Sequence, residues 1–422
     1  MKFIPFKRFV QSRKGGAWGQ DAGKDEVDVS CVRVADFEYD KLTSKKILST
    51  IRSIPARQYK NIKLNKGDIL IEKSGGGETT LVGRAISFDQ EIDTICSNFI
   101  ERIEIKTNKL EPKFACYILA SAYSNKINAS CIKQTTGIQN LDVDAYLSSV
   151  LVPDIPKEKQ RRIVDFLESK IKDISDSIFK KRVCLQKFSE YRQSLITQAV
   201  TKGLDPKAEM KDSGVEWIGK IPAHWNIAAI KHCGQYTNGL TYSPQDLVAD
   251  GTPVLRSTNV QNGQLDINDL VFVRSEVAVD SMLKAGDVLI CSRNGSAKLI
   301  GKCAYISEED KFAFGAFMMV FRSKLKKFGF YILNSALFSY YKPQFGTSTI
   351  NQLTGKSFGE MLIPIPPDSE MTEIAIHLDN KIAQILKTEN SIKNAIELLL
   401  KYRTSLISAA VTGKIDISEV NQ

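Results

Sequence analysis

The sequence reads Tyr191-Arg-Gln-Ser-Leu-Ile-Thr-Gln-Ala-Val-Thr201 at one point and Tyr402-Arg-Thr-Ser-Leu-Ile-Ser-Ala-Ala-Val-Thr412 at another. Each copy closes a segment that opens on a proline-rich stretch, Leu151-Val-Pro-Asp-Ile-Pro156 or Leu362-Ile-Pro-Ile-Pro-Pro367. The offset is 211 residues at both ends (364 − 153 and 402 − 191), so the two segments align without a gap. Because a long-period repeat constrains the architecture before any motif is considered, we expect two copies of one unit.

Upstream of each segment a looser similarity continues, as expected if two globular parts have diverged on one fold. Short β-type runs such as Asp68-Ile-Leu-Ile-Glu72 end in glycine turns, and a helix is predicted near 114–124 and 328–340. This pattern predicts an α/β (α+β) fold for each part. The matching stretches are Lys66–Ile71 with Ala285–Ile290, Ser74–Ala85 with Ser292–Cys303, and Thr136–Leu141 with Thr349–Leu353.

The two segments are predicted to be long helices, each roughly 65 Å at about 1.5 Å per residue. Pro156 suits a helix start, and Gly203 and Gly413 follow the last periodic residues. Apolar residues recur at alternating spacings of three and four, which favours two antiparallel spacers that form a coiled coil. The alternative is that each helix packs only on its own globular neighbour. The helix-pair candidates are Ile174, Ile178, Lys181, Leu185, Phe188, Ile385, Glu389, Ile392, Ile396 and Leu399. Lys181 and Glu389, near the two midpoints, form a hypothetical ion pair.

These features divide the chain into six parts: two globular domains, each followed by a long helix, with a connector between the halves and a short tail. The stretch between the halves, Lys202 to Ile221, contains Gly203, Pro206, Gly214 and Gly219 among charged residues, so we expect a connector that lies outside the core. The predicted boundaries are 1–155 and 222–367 for the globular domains, 156–203 and 368–413 for the helices, 204–221 for the connector and 414–422 for a tail.

Composition favours a polyanionic partner. Lys and Arg number 58 against 48 Asp and Glu, giving a formal charge of +10 and a pI near 9.0, although many basic proteins bind no nucleic acid. The eight cysteines are scattered without a C-x-x-C pair, so reduced core thiols and no metal site are expected. Since no run approaches about 18 apolar residues, we expect a soluble cytoplasmic protein without a membrane partner.

Motifs for catalysis are absent from the sequence. Pro366-Pro367 follows Ile365, and Gly75-Gly76-Gly77 does not form a dinucleotide turn, so neither catalytic loop nor cofactor turn of an adenine methyltransferase is present. A phosphate loop for nucleotide-driven translocation is likewise missing. The three histidines are dispersed, at 224, 232 and 377. The sequence therefore predicts a protein that recognises a partner, needs no cofactor and is not an enzyme.

The chain resembles the specificity subunits of type I restriction-modification systems. The resemblance rests on Asp212-Ser-Gly-Val-Glu-Trp-Ile-Gly-Lys-Ile-Pro-Ala-His-Trp225, on Val254-Leu-Arg-Ser-Thr-Asn-Val260, on the Tyr-Arg-x-Ser-Leu-Ile endings and on the proline entries to both helices. It implies two target-recognition domains that each read half of a split site in double-stranded DNA. It also implies that the helices set the half-site spacing and dock methyltransferase subunits, two of them, while an accompanying restriction (translocase) subunit is left open.

Residues for DNA reading are sought among polar side chains on loops, which can reach base edges or phosphates. Arg293 can grip guanine and Asn294 adenine, and the amides before the helices can pair with adenine; in each case a solvated or capped turn is an equal alternative. For the 256–259 set with Arg33, the core-edge alternative is slightly favoured. Arg84 and Lys302 suit phosphate, unless they are simply solvated. The candidates are Arg33, Ser74, Gly76, Arg84, Gln139, Asn140, Arg256, Thr258, Asn259, Ser292, Arg293, Asn294, Lys302, Asn351 and Gln352.

Two other functions compete with this interpretation. A coiled-coil scaffold with two domains that bind ligands other than DNA ranks second, and a single-chain methyltransferase or nuclease ranks third. Binding to duplex DNA that weakens steeply with salt separates the first two, because each neutralised phosphate releases counterions. The recognised DNA sequence does not follow from the residues.

Overall fold

The structure is a computed structural model that describes residues 2–77, 80–134, 137–308, 311–341 and 351–415. Residues 416–422 of the expected tail, and Glu78, Thr79, Thr136, Thr349 and Ile350 of the repeat stretches, lie outside the described residues. The chain divides into two units. Unit 1 comprises Met1–Arg182 and Lys393–Gln422, and unit 2 comprises Val183–Ile392.

Unit 1 contains three short α-helices, a series of short strands, the first part of one long helix and the last part of another. Helix α2 begins with Pro112, whose missing N–H costs nothing at that position, and α3 is capped by Asp142, which accepts from the Ala145 N–H (3.0 Å). The elements are β1 (Phe3–Pro5), β2 (Val10–Gly15), β3 (Val27–Val32), β4 (Phe37–Glu38), β5 (Thr43–Ser44), β6 (Ile51–Ile54), α1 (Ala56–Ile62), β7 (Ile69–Glu72), β8 (Ser74–Gly75), β9 (Ala85–Ser87), β10 (Thr94–Cys96), β11 (Ile100–Ile105), α2 (Pro112–Ser124), β12 (Ile132–Gln134), β13 (Gln139–Leu141), α3 (Val143–Ser149), β14 (Leu151–Pro153) and α4 (Lys157–Lys202).

Unit 2 repeats this order of elements with small changes. Two short helices stand where unit 1 has α2, and a second long helix follows the last strand. The elements are β15 (Met210–Asp212), β16 (Lys220–Pro222), β17 (Asn226–Ala229), β18 (Gly234–Asn238), β19 (Leu247–Leu255), β20 (Val260–Gln261), β21 (Gln264–Leu265), β22 (Val271–Val273), α5 (Ser275–Ala278), β23 (Val288–Cys291), β24 (Cys303–Tyr305), β25 (Ala313–Phe314), β26 (Met318–Ser323), α6 (Lys326–Leu333), α7 (Ala336–Tyr341), α8 (Gly355–Gly359), β27 (Leu362–Ile365) and α9 (Asp368–Val411).

Strand order confirms that the two units share one topology. The order β2-β11-β7-β9 in unit 1 matches β18-β26-β23-β24 in unit 2, and β10-β3-β6 matches β25-β19-β22. The pair β1-β14 matches β17-β27, and both pairs are antiparallel. The fully buried strands Ile69–Glu72 and Val288–Cys291 occupy the same place in the two sheets. The predicted mixed fold with an internal repeat is confirmed.

The long helices α4 and α9 pair inside each unit. In unit 1 the beginning of α4 (Ile171, Ile174, Ile178) packs with the end of α9, including Leu406 and Ala410. In unit 2 the end of α4 packs with the beginning of α9 through buried residues of both helices. These are Ile196, Ala199, Val200, Met371, Ile374 and Leu378. A start packed on an end in both units is the arrangement of an antiparallel pair. Gly203 and Gly413 follow the helices with φ of +71° and +73°, a conformation that suits glycine at a helix end.

The charge at the middle of the second helix has a different partner from the expected one. Glu389 is buried, and its carboxylate lies 3.5 Å from the guanidinium of Arg192, in place of Lys181. Arg192 is itself a member of the α4 heptad stripe, four residues after Phe188. Of the other helix-pair candidates, Ile174, Ile178 and Ile385 are buried. Leu185, Phe188, Ile392, Ile396 and Leu399 are partly buried.

The predicted connector at 204–221 is more structured than expected. It forms the antiparallel hairpin β15-β16 and supplies Val215, Ile218 and Ile221 to the core of unit 2. Trp225, just beyond it, is fully buried and its Nε1 donates to the Glu370 carboxylate (2.9 Å). The expectation that this stretch lies outside the core is wrong, because apolar side chains between its glycines fill space against α4 and β27.

Candidate nucleic-acid interface

A turn after β3 and an equivalent turn after β19 carry the first set of candidates. The Arg33 N–H donates to the Asp36 carboxylate (3.0 Å), and the Arg256 N–H donates to the Asn259 side-chain oxygen (2.9 Å). In both units a short polar side chain three residues on closes the turn, which is a local capping arrangement. The two turns therefore share one backbone shape although three of their four side chains differ.

A second turn, which sequence reasoning missed, lies against the first in each unit. It spans residues 97–100 in unit 1, where the Ser97 N–H donates to the Val32 carbonyl (2.9 Å), and residues 315–318 in unit 2, where the Gly315 N–H donates to the Leu255 carbonyl (3.0 Å). The two turn sequences, Ser-Asn-Phe-Ile and Gly-Ala-Phe-Met, share only phenylalanine. So little identity leaves no recognisable motif.

The glycine-containing segments 74–77 and 292–295 come next. In unit 1 the N–H groups of Lys73 and Ser74 donate to the Phe99 carbonyl (2.9 and 3.2 Å). In unit 2 the N–H groups of Ser292 and Arg293 donate to the Phe317 carbonyl (3.0 and 3.1 Å). The same forked pair of hydrogen bonds thus ties this segment to the missed turn in both units.

The amide-bearing segments before the long helices complete the set. Asn140 pairs with Ser74 in the β13-β8 ladder, and Ser74 Oγ donates to Asn140 Oδ1 (2.7 Å). Arg293 forms an isolated antiparallel bridge with Gln352. Four segments are therefore contiguous in each unit, and we call them the loop cluster: residues 33–36, 74–77, 97–100 and 137–140 in unit 1, and residues 256–259, 292–295, 315–318 and 351–352 in unit 2.

Three of the candidate side chains are buried, and two of them, Gln139 and Asn259, already have hydrogen-bond partners within the chain. Gln139 accepts from the Val82 N–H (3.1 Å) and donates to the Gly77 carbonyl (2.9 Å), so its amide links Gly77 and Val82. Asn259 donates to the carbonyls of Asp266 and Asp269 (2.9 and 2.8 Å). Ser292 is only 3% exposed. These contacts favour the turn and core alternatives over base contacts for these three residues.

Gly76 is needed for its backbone. Its φ is +68°, a backbone conformation in which any other residue would be strained. A Cβ at this position would also lie 2.8 Å from Gln139 Oε1 and would displace the Gln139 amide. Gly76 therefore shapes the cluster of unit 1 and presents no group to a base.

Both arginines of the first turn form ion pairs within the chain. Arg33 Nε lies 3.1 Å from Asp36, and Arg256 donates to the Asp269 carboxylate (2.9 Å). Burial of the Asp36 side chain, which is 3% exposed, acts to raise the pKa of its carboxyl, but the hydrogen bonds from Arg33 and the charges of Arg33 and Lys45 outweigh it and lower the pKa. Each guanidinium is thereby held in place against its own unit.

The polar groups at the surface of the clusters differ between units. In unit 1 Asn140 is exposed. In unit 2 Arg293 donates to Gln352 Oε1 (2.7 Å) while Asn294 donates to Ser257 Oγ (3.1 Å). Asn351 donates to the Gly295 carbonyl (3.2 Å), and Thr258 is exposed. Beside Arg33 and Arg256, which occupy the same place in the two clusters, unit 1 carries the uncharged pair of Ser74 and Asn140, whereas unit 2 carries Arg293, Asn294 and Gln352.

The matched cations Arg84 and Lys302 are both partly buried. The guanidinium of Arg84 lies 4.4 Å from the centroid of the Tyr39 ring, and its Nε donates to the Tyr123 hydroxyl (3.2 Å). It lines a cleft of about 1130 Å³ in unit 1. The Tyr123 hydroxyl in turn donates to the Leu81 carbonyl (2.8 Å). Arg84 therefore supports Leu81, which precedes the Val82 that Gln139 contacts.

Glu72 ends β7 immediately before the loop cluster of unit 1 and is 5% exposed. Burial raises the pKa of the Glu72 carboxyl to about 7, and the nearby Arg84 guanidinium only partly opposes this. The unfolded chain therefore releases this proton near its ordinary pKa of 4.5, whereas the folded unit keeps it until about pH 7. Stability falls as pH rises through that window.

The variant Glu72→Gln should therefore be more stable than the wild type above pH 7, by no more than about 3 kcal/mol at 1.36 kcal/mol per pKa unit. The difference should shrink as pH falls toward 4.5. Thermal unfolding of the full chain at several pH values measures this, with the exposed Glu308→Gln as the control. A Glu72→Gln curve parallel to that of the wild type at every pH would contradict the prediction.

The geometry of two equivalent loop clusters agrees with what sequence comparison finds. The model of the type I restriction modification DNA specificity domain matches residues 10–181 and again residues 222–398. The chain belongs to this family. Each match contains one whole loop cluster and part of the long helix that follows it, so the repeat of the family domain coincides with the repeat of the topology.

Relatives of this specificity-domain family member have modest identity. The chain is 31% identical over 206 residues to the type I restriction enzyme EcoKI specificity subunit of Escherichia coli and 30% identical over 206 residues to the StySPI specificity subunit of Salmonella potsdam. Each alignment covers 47% of this chain and 44% of the relative, so the matched stretch spans less than half the length of either relative.

Solved structures share the fold of this family member. One chain, from work on complex assembly and conformational transition of the type I R-M system, superposes with a TM-score of 0.71 at 15% identity and 97% coverage of both chains. The HsdS subunit from Thermoanaerobacter tengcongensis gives a TM-score of 0.50 at 15% identity, covering 98% of this chain and 97% of that one.

The side chains and helices of the described ranges also bear on metal binding and membrane insertion. Within them, no group of three or more His, Cys, Asp or Glu side chains is placed to hold a metal ion. In the same ranges no helix combines the length and the apolar character needed to cross a bilayer.

Proposed function

We propose that this chain is the DNA-specificity subunit of a type I restriction-modification complex. Each unit contacts one half of a bipartite site in double-stranded DNA through its loop cluster. The helices α4 and α9 set the gap and dock two methyltransferase subunits, and a restriction subunit joins the same complex. The chain itself catalyses no reaction, needs no cofactor and acts in the cytoplasm.

One observation carries the proposal: two loop clusters have the same backbone hydrogen bonds and different polar side chains. A protein that reads two unlike half-sites needs a common scaffold to place its reading segments, and different side chains to distinguish the bases. Arg293 and Gln352 in unit 2 stand where unit 1 has Ser74 and Asn140. The difference suits an asymmetric bipartite motif.

Charge and helix length support the same function. A net charge of +10 favours association with a polyanion and gives a salt-dependent contribution to affinity. The 46 residues of α4 and 44 residues of α9 form rods that carry no reading segment themselves. Such rods suit a role in spacing and docking.

The decisive experiment is to co-express the chain with the methyltransferase encoded beside it and to map methylated adenines. We expect a split motif with a fixed gap. Replacing residues 1–155 by those of a relative should change one half of the motif and leave the other half and the gap intact. Absent or random methylation would contradict the proposal, and a change in both halves would contradict the assignment of one half-site to each unit.

Duplex binding at increasing salt tests the competing scaffold function. Affinity for the mapped site should fall linearly on a logarithmic scale, with a slope that reflects the number of neutralised phosphates. An affinity that changes with neither the salt concentration nor the DNA sequence would favour the scaffold function.

A further inference from the structure

Phe99 and Phe317 are exposed phenylalanines at equivalent positions of the two units. Phe99 is 41% exposed and Phe317 is 55% exposed, and each is the third residue of the turn that lies within a loop cluster. The backbone carbonyls of both accept the forked hydrogen bonds from the neighbouring segment. These hydrogen bonds fix the backbone of each phenylalanine within its loop cluster.

The equivalence of the two turns rests on backbone contacts and is independent of their side chains. The Gly16 N–H donates to the Ile100 carbonyl (3.0 Å), and the Gly239 N–H donates to the Met318 carbonyl (3.0 Å). A Cβ on either glycine would lie 2.2–2.4 Å from turn carbonyls, so only glycine allows this approach. The same strand edge thus clamps the same turn in both units.

Recurrence distinguishes these rings from ordinary surface residues. A single exposed apolar side chain needs no explanation. Here the two turns have diverged at every position except phenylalanine, while the cluster side chains around them have also diverged. An aromatic ring kept at one place in both copies, beside polar reading segments, indicates a function that is common to both half-sites and independent of their sequence.

We propose that Phe99 and Phe317 are apolar DNA contacts, each of which stacks at a base step within the half-site of its own unit. The inference rests on the proposed function and adds the contact chemistry: a ring against base faces, beside polar groups that face base edges. Apolar side chains inserted at base steps partly unstack them, and stacking tolerates any base because every base has a flat face.

The surroundings of the second ring support this role. The guanidinium of Arg293 lies 5.6 Å from the centroid of the Phe317 ring, while its Nη2 donates to Gln352. This places a cation, an amide and an aromatic face side by side. In unit 1 the segment that donates to the Phe99 carbonyl carries Ser74, which pairs with Asn140, so the polar side chains at the corresponding place are uncharged.

The test uses the full complex with its methyltransferase and the mapped site, with 2-aminopurine placed in one half-site at a time, away from the target adenine. The wild type should unstack one step in each half-site and raise the fluorescence there. Phe317→Ala should abolish the signal in the half-site of unit 2 only, and Phe99→Ala in that of unit 1 only. Each should weaken binding roughly tenfold or more, the scale of one lost stacking contact.

Two further readouts separate stacking from a structural effect. The slope of affinity against salt should stay at the wild-type value, because no phosphate contact is removed. Phe317→Leu should retain part of the signal, since leucine also serves as an apolar wedge. Matched controls are Ile51→Ala in unit 1 and Ile267→Ala in unit 2, which are 53% and 56% exposed and should behave as the wild type.

The outcomes distinguish this inference from the function beneath it. A wild-type complex without site-specific methylation would overturn both. Specific methylation by the wild type, with Phe variants that match the Ile controls, would overturn the stacking contact and leave the function intact. Loss of signal in both half-sites from one substitution, or a changed salt slope, would also overturn it.

Discussion

Insertion of seven residues after Arg182 together with seven after Ile392 is expected to lengthen the gap of the methylated motif by up to about three base pairs, with both half-sites unchanged. Seven helical residues add about 10.5 Å, and base pairs rise about 3.4 Å each. If the helices set the gap, as proposed, DNA must supply the same extra length between the half-sites.

The insertion points are chosen so that each unit keeps its own packing. The boundary between the units falls between residues 182 and 183 in α4 and between 392 and 393 in α9. A heptad returns the apolar stripe to nearly the same face, with a drift of about 20°. Apolar residues at the stripe positions of the insert would extend the existing pattern of Ile178 and Leu185.

Mapping of methylated adenines measures the gap. Seven residues inserted into α4 alone should abolish methylation, because the two helices then lose their register. The same heptad placed at 205–207, before the β15-β16 hairpin, adds length outside the helices and should leave the gap unaltered. An active double insertion with the wild-type gap would exclude the helices as the spacer.

Asp68→Ala is expected to destabilise unit 1 by about 3–5 kcal/mol, the cost of removing one partner from a buried ion pair. Arg102 Nε lies 2.5 Å from Asp68, and the side chains of the two residues are 9% and 4% exposed. Asp68 also accepts from the Asn65 N–H (2.6 Å), which closes the turn before β7. Its loss leaves the buried Arg102 guanidinium with only the more distant Glu104 carboxylate (3.8 Å) and removes the acceptor of the Asn65 N–H.

Unit 2 supplies a matched comparison at the same place in the repeat. Arg322 pairs with Asp287 (2.9 Å), which accepts from the Lys284 N–H (2.8 Å), but the Arg322 side chain is 35% exposed. Asp287→Ala should therefore cost less than Asp68→Ala, since water can reach the remaining cation.

Hydrogen exchange of the full chain resolves the two units. Asp68→Ala should speed exchange in β7 (Ile69–Glu72), and Asp287→Ala should speed it less in β23 (Val288–Cys291). Because domain stability is typically about 5–15 kcal/mol, Asp68→Ala should also weaken methylation at the motif. The exposed pair of Lys63 and Asp93 is the control, and Asp93→Ala should change little. Equal exchange in the Asp68→Ala and Asp93→Ala variants would show that the buried pair contributes no more than a surface pair.

Prediction from sequence succeeded for the large elements. The heptad stripes of α4 and α9 and the glycines that follow them, Gly203 and Gly413, are local signals. The structure also brings the predicted segments around residues 74 and 139, and around 292 and 351, together within their units, and their contact with DNA stays a prediction. The outcome for individual side chains was mixed, since Gln139, Asn259 and Ser292 are buried in contacts of their own unit.

The sequence by itself determined the repeat, the two long helices and the mixed fold of each unit. Periodicity depends on residues close together in the chain, and the repeat follows from comparing two stretches of sequence, so neither requires knowledge of tertiary contacts. The tertiary structure decided which polar groups remain at the surface. The Gln139 amide donates to the Gly77 carbonyl, 62 residues away in the chain. The Glu389 carboxylate accepts from Arg192, 197 residues away. It also decided that Phe99 and Phe317 lie within the clusters, since hydrogen bonds between distant segments place them there and no local pattern encodes that position.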